Sequence, residues 1–243
     1  MTKHITCTII FFLLSLLIIN PAYSYEDIHN SYDKLLKKVV SDGLVNYNLL
    51  ITNQQILNNY LKRLYRIKKE EYEKWDANDK LAFLINLYNA ATLKLIIDNY
   101  PVKSIKEIGG IFSSPWKKKF ITLFGKKVSL DFLEHQVIRK EFHEPRIHFA
   151  LVCASKGCPP LRNEAYKGEL LDNQLSEQTK QYLSSPRGLI IDKKKKLAYL
   201  AAIFKWYKED FEDLIGFIKK YSGVDISNYK IKWLKYDWSL NEK

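Results

Sequence analysis

The residue types with chemistry to offer gather in one stretch, Arg146-Ile147-His148-Phe149-Ala150-Leu151-Val152-Cys153-Ala154-Ser155-Lys156-Gly157-Cys158-Pro159-Pro160-Leu161. A cysteine nucleophile needs a thiolate, a base to take and return a proton, a polar group to fix that base, and donors for an oxyanion. Cys158 is the expected nucleophile, because Gly157 lets the backbone approach closely and the prolyl turn that follows can start a helix whose positive end lowers a thiol pKa. His135 or His148 is then the base, and Asn89, Asn86 or Glu134 its orienting partner. Asn86, Arg146 and Ser155 are the expected substrate-binding residues, and Cys153, at the end of an apolar run, is expected to anchor the segment.

Other readings of the same residues stay open. Asn86 and Asn89 lie three apart on one helix face, where they can equally hold the backbone of a neighbouring loop. A lone histidine in an amphipathic helix, such as His135, is as often a satisfied boundary residue as a catalyst. Cys153 and Cys158, spaced Cys-x4-Cys, can close a structural or redox disulfide whose short loop contributes only about 2 kcal/mol. Zinc held by the two cysteines with His135, His148 or Glu134 uses suitable donors at a spacing looser than usual. A non-catalytic envelope module, with Trp116 and the aromatic tail lining a groove, is the remaining reading. The thiol enzyme comes first among them, acting on amide or thioester bonds without cofactor or metal, with a peptide, glycan or small molecule as ligand.

The elements that must position these residues follow from apolar spacing. Ile28, Tyr32, Leu35, Leu36 and Val39 recur at helical intervals until Ser41-Asp42-Gly43, and a second helix spans about Ile56 to Ile67. The next helix, capped by Asn78 or Asp79 and ended by Asn99-Tyr100-Pro101, is apolar nearly all round and should be central. A hairpin over Phe120 to Ser129 leads to a helix carrying Glu134 and His135. Ile147 to Val152 reads as a strand covered on both faces, which holds His148 and Cys153 some 16 Å apart at about 3.3 Å per residue. A helix from about Gly168 to Leu183, a hairpin over Leu189 to Leu200, helical segments from Ile203 to Tyr221 and a docked aromatic tail complete the chain. The expected fold is α+β, a single domain of helices packed on a small, mostly antiparallel sheet, with an N-terminal helical lobe over residues 25–74. No Gly-rich phosphate loop, His-Glu-x-x-His helix or Gly-x-Ser-x-Gly elbow is present.

The 243 residues, 47% of them hydrophobic, can bury one substantial core. Residues 1–24 are expected to be a secretory signal peptide: Lys3, an apolar run from Ile9 to Ile19, then Ala22-Tyr23-Ser24 with small residues at the −3 and −1 positions. The product is then periplasmic or secreted, without an integral membrane segment after cleavage, and a monomer. Cys153 and Cys158 are its two cysteines, in a compartment where thiols tend to pair. The formal charge of +12 does not indicate nucleic acid: only six of the 39 cationic residues are arginine, and export argues against such a partner.

Five segments together resemble the family catalogued as domain of unknown function 547. They are Ala82 to Ala90, Ser129 to His135 with Arg139, Pro145 through Leu161, Ile203 to Tyr207 and Asp237 to Asn241. They place a domain over residues 75–241 of an exported bacterial member. The resemblance implies function at Asn86, Asn89, Glu134, His135, Arg146, His148, Cys153 and Cys158, and fusion of some relatives to glutaredoxin-like domains points toward thiol chemistry by association.

Overall fold

Everything in the fold is measured from one buried helix, Ala77–Ile97, whose residues from Leu81 to Leu93 are all buried. The computed structural model describes residues 25–110 and 113–243; the expected signal peptide lies outside the described residues. The central helix is long and apolar enough to cross a membrane, yet 89% of its most apolar window is packed inside protein. Its cap is Asp76, earlier than expected, whose carboxylate accepts from the Asp79 amide at 2.8 Å. Each fully buried leucine or isoleucine along it contributes about 1.5–3 kcal/mol, which outweighs the poor helix propensity of Asn86 and Asn89.

The helices Tyr25–Val39 and Gln54–Leu64 pack on each other, and the second packs on the central helix. Ile28, Leu35, Leu57, Leu64 and Tyr72 share one core with Leu84 and Ile96, so the N-terminal helical lobe is continuous with the rest of the domain. A smaller core gathers Phe149, Tyr182, Phe204, Phe211 and Ile218.

The fold is α+β, and its described strands fall into three small separate sheets, antiparallel except for one added parallel strand. Val40–Ser41 pairs with Leu44–Val45, and Ile121–Leu123 pairs with Lys126–Val128 through Phe124 and Gly125, both at positive φ as a tight hairpin turn requires. Leu189–Asp192 pairs antiparallel with Leu197–Leu200, and Lys230–Trp233 adds to the latter in parallel, a strand the sequence pattern did not reveal.

The expected strand over 147–152 does not form. Pro145–Phe149 is a 3-10 turn, with Pro145 at its first position and the Glu144 carboxylate accepting from the Arg146 amide. An apolar run without alternation suits a buried helical turn as well as a buried strand, and a proline at the first helical position favours the turn. At about 2.0 Å rise per residue the turn is much shorter than a strand, so the extended-chain separation of His148 and Cys153 does not apply. Ile147 enters the main core and Phe149 the smaller one, which sets His148 at the seam.

Candidate active site

Asn89 shapes the approach to Cys153. Its side-chain amide donates to the Ala150 carbonyl and accepts from the Val152 amide, both at 2.9 Å, giving this irregular segment the bonds a neighbouring strand would have supplied. Asn86 does the same for another loop, bonding the carbonyl and amide of Tyr166 at 2.7 and 2.9 Å. The two asparagines therefore hold loop backbones in register, and Asn89 touches neither His135 nor His148. Asn86 lies 3.4 Å from His29, outside the candidate set.

Past Cys153 the chain reverses. Ala154 takes a left-handed φ of 57°, strained for a residue with a Cβ, and the Cys158 amide bonds back to the Ser155 carbonyl. The aromatic tail clamps this loop: the amides of Lys156 and Gly157 donate to the carbonyls of Ser239 and Asp237, and Asn241 donates to Ala154. At Gly157 a Cβ would sit 2.7 Å from the Asp237 nitrogen, so only glycine permits the approach.

The clamp gathers three hydrogen-bonding groups around one sulfur. Cys153 Sγ lies 3.1 Å from Cys158 Sγ, 3.1 Å from Ser155 Oγ and 3.0 Å from the Tyr236 hydroxyl. Cys158 Sγ accepts both the Cys153 backbone amide and the Cys153 thiol at 3.1 Å, while its own S–H faces the Leu151 carbonyl at 3.9 Å; once Cys153 ionises, that S–H is the one left to donate to it. Both cysteines are thiols, Cys158 buried and Cys153 partly accessible. The Cys158 hydrogen bond, aided by Ser155 and Tyr236 and opposed by burial, draws the Cys153 thiol down to about 7. Burial and the adjoining Cys153 push Cys158 well above the ordinary range. Cys158, the expected nucleophile, is therefore the buried cysteine held as a thiol, and Cys153, the expected anchor, is the more accessible one and the one drawn toward the thiolate.

Cys153 opens on a cleft of about 460 Å³ whose walls also carry Glu134, His135 and His148. His148 Nε2 lies 2.6 Å from Asp210 Oδ2, and its ring stacks on Tyr207 with centroids 3.9 Å apart. Burial holds His148 below the usual imidazole range although Asp210 pulls the other way. Asp210 is partly desolvated, yet hydrogen bonds from Arg139 and His148 keep it below the carboxylate range. An ionised Asp210 only accepts, so the neutral His148 carries its proton on Nε2 and Nδ1 keeps a basic lone pair. Arg139 fixes Asp210 in place, donating to both of its oxygens at 2.7 and 2.6 Å.

Glu134 and His135 sit on a π-helical turn, Leu133–Ile138, inside a longer helix. Glu134 accepts the hydroxyls of Tyr88 at 3.0 Å and Tyr207 at 2.6 Å, so it stiffens the wall and orients neither histidine. His135 Nδ1 accepts from Arg139 at 2.9 Å, which places its proton on Nε2, 3.9 Å from Asp131.

Of the expected site residues, Glu134, His135, His148, Cys153 and Cys158 meet at one cleft. Ser155 supports Cys153 from its own loop. Arg146 is elsewhere, paired with Glu144 and Asp172 and bonded to Ser176, so its role is to tie the 3-10 turn to the helix Leu171–Leu183. Sequence reasoning missed Asp210 and Tyr236. The tail's aromatic density was the available signal for Tyr236; for Asp210, 62 residues from His148, it was an acid placed directly before Phe211 in an aromatic segment. Among the described residues, no group of three or more His, Cys, Asp or Glu is arranged to hold a metal.

Residues 72–183 match the model of a family described as "Protein of unknown function, DUF547". No curated protein and no solved structure matches the chain. The matched stretch contains both cysteines and both candidate histidines and ends before Asp210 and Tyr236.

Proposed function

We propose that this chain, which belongs through residues 72–183 to the DUF547 family, is an exported thiol-dependent hydrolase or acyltransferase acting on amide or thioester bonds. The observation that carries the reading is Cys153 Sγ in hydrogen-bond contact with Cys158, Ser155 and Tyr236 in a cleft that His148 also lines. In this mechanism Cys153 Sγ forms a bond to the acyl carbon while its proton passes to Nδ1 of His148. The acyl–nitrogen or acyl–sulfur bond then breaks, and His148 returns the proton to the departing group. Water or an acceptor amine, deprotonated by His148, attacks the thioester and frees Cys153. Asp210 fixes the imidazole tautomer and steadies the charge it carries between the two transfers.

The test is acyl-enzyme formation. The chain from residue 25 onward is mixed with activated acyl thioesters and anilides and analysed by intact and peptide mass. The expected result is an acyl adduct on Cys153, absent in Cys153→Ala and slow to discharge in Asp210→Asn. An adduct on another residue, or none in a folded protein, overturns the proposal.

One observation favours a second reading. Two thiols 3.1 Å apart are placed to form a disulfide, releasing two protons and two electrons to a partner disulfide that becomes two thiols. Thiol titration of protein purified from the exported fraction separates the readings: two free thiols support the acyl-transfer enzyme, none supports the redox couple.

A further inference from the structure

The charges that line the Cys153 cleft run against those of the whole chain. The sequence carries a formal +12, yet the described residues lining the cleft include the carboxylates Asp131 and Glu134 and neither lysine nor arginine. His148 adds no positive charge at neutral pH, because burial keeps its imidazole neutral. Arg139, on the same helix, is taken up by Asp210 and Glu209 and also donates to His135 of the cleft wall.

The remaining surface of the cleft is largely aromatic. Trp116, Trp206 and Trp238 form a continuous group, with Trp238 stacked on Trp206 at 5.8 Å and edge-on to Trp116 at 5.9 Å. Trp206 is 47% exposed, a large apolar ring that packs on Tyr236 and Trp238 and leaves the rest of its surface open at the cleft. This aromatic group already engages one ammonium at close range: Lys106 Nζ stands 3.5 Å from the centre of the Trp238 ring. Indole faces attract cations through the ring quadrupole, and a carboxylate beside them adds a directional partner. Asp131 is suited to that part, since its one ion-pair neighbour is His135 at 3.9 Å and its side chain is 42% exposed.

From these features we infer that the cleft selects a substrate carrying a primary aliphatic ammonium group close to the reacting acyl carbon, seated against Trp206 and paired with Asp131. The inference rests on the thiol reading of the same cleft and deepens it by naming the substrate class. The charged donors beside the cleft are already engaged, Lys106 on the Trp238 face and Arg139 by Asp210, Glu209 and His135, and no lysine or arginine is among its described lining residues to pair with an anionic acyl group. The bulk positive charge repels a cation at long range, so any preference for cations at the thiol must come from the cleft itself.

The experiment compares methanethiosulfonates of similar size with a 2-ammonioethyl, methyl or 2-sulfonatoethyl group. Rates at Cys153 are read by peptide mass at physiological salt and divided by rates with a free thiol. The expected order is ammonium over methyl over sulfonate, and Asp131→Asn should lower the cation-to-anion ratio by on the order of threefold to tenfold. Trp206→Leu should lower it as well. Ready labelling at equal corrected rates overturns the inference and leaves the thiol reading standing; no labelling of Cys153 by any reagent in a folded protein overturns the thiol reading itself. A tryptophan-fluorescence titration of the unmodified protein gives a second test free of mutation. Saturable quenching by n-butylammonium but not by n-butanol or butyrate supports the inference, and equal responses to all three overturn it.

Discussion

Replacing Cys158 by alanine tests the thiol assignment most sharply, because it removes the largest influence on Cys153 without touching Cys153. With its thiol drawn down to about 7, Cys153 should carry far more thiolate at neutral pH than a thiol at the unperturbed 9.0. Cys158 is the foremost of the three donors responsible, followed by Ser155 and Tyr236. Without its S–H, the Cys153 midpoint should move up by about one pH unit, and the thiolate fraction at pH 6.5 should fall on the order of tenfold. The cavity left by one sulfur costs about 1–2 kcal/mol, which leaves the protein folded. The assay is the pH dependence of iodoacetamide alkylation followed by mass. The midpoint should rise in Cys158→Ala and less in Cys158→Ser, whose hydroxyl still donates, while the plateau rate above pH 10 changes little. Cys153→Ala supplies the counterpart: buried Cys158 should stay unmodified across neutral pH. A wild-type midpoint of 9 or above, an unmoved midpoint in Cys158→Ala, or brisk labelling of Cys158 in Cys153→Ala would refute the reasoning.

His29 is held down to about 3, chiefly by burial and secondarily by Arg63 and Lys167, so it stays neutral in the folded protein while the unfolded chain takes up a proton near 6.5. Stability should therefore fall as pH drops below about 6.5, with His29 accounting for about 2 kcal/mol by pH 5; urea midpoints at pH 7 and 5 check this, and an equal drop in His29→Gln contradicts it. Asn89→Ala strips the Ala150 carbonyl and Val152 amide of their buried partner and should lower stability by about 2–4 kcal/mol, measured by thermal or urea unfolding. Gly157→Ala drives a Cβ into the Asp237 backbone and should loosen the tail, seen as a Cys153 midpoint moving back toward 9 together with a lower Tm; an unchanged midpoint would show that the tail does not need that close approach.

The parts of this protein that were legible in its sequence are those decided by neighbours along the chain. The central helix is apolar on nearly every side, and only a helix buried all round reads so. The apolar spacing after the hairpin located the helix bearing Glu134 and His135, though not its π turn, since no residue preference separates one wide turn from its α-helical surroundings. Ile147 to Val152 was misread for want of alternation: buried turn and buried strand produce the same letters, and the deciding partner, Asn89, comes from another helix. The jobs of the two cysteines were illegible because they depend on the left-handed Ala154 and on a tyrosine 83 residues away. Asp210 shows the same limit, reaching His148 only once the smaller aromatic core has closed.

The clamp of the tail on the Cys153 loop also sets an order of events in folding. Contacts spanning some 80 residues carry a larger loop-closure entropy than those within helices, and they form late. Until the tail docks, Cys153 has the nearby Cys158 and Ser155 but lacks Tyr236 and the clamp that holds its loop against them. The full set of contacts on this sulfur is therefore a property of the completed chain, and the onset of full thiol reactivity during refolding is expected to report the final closure.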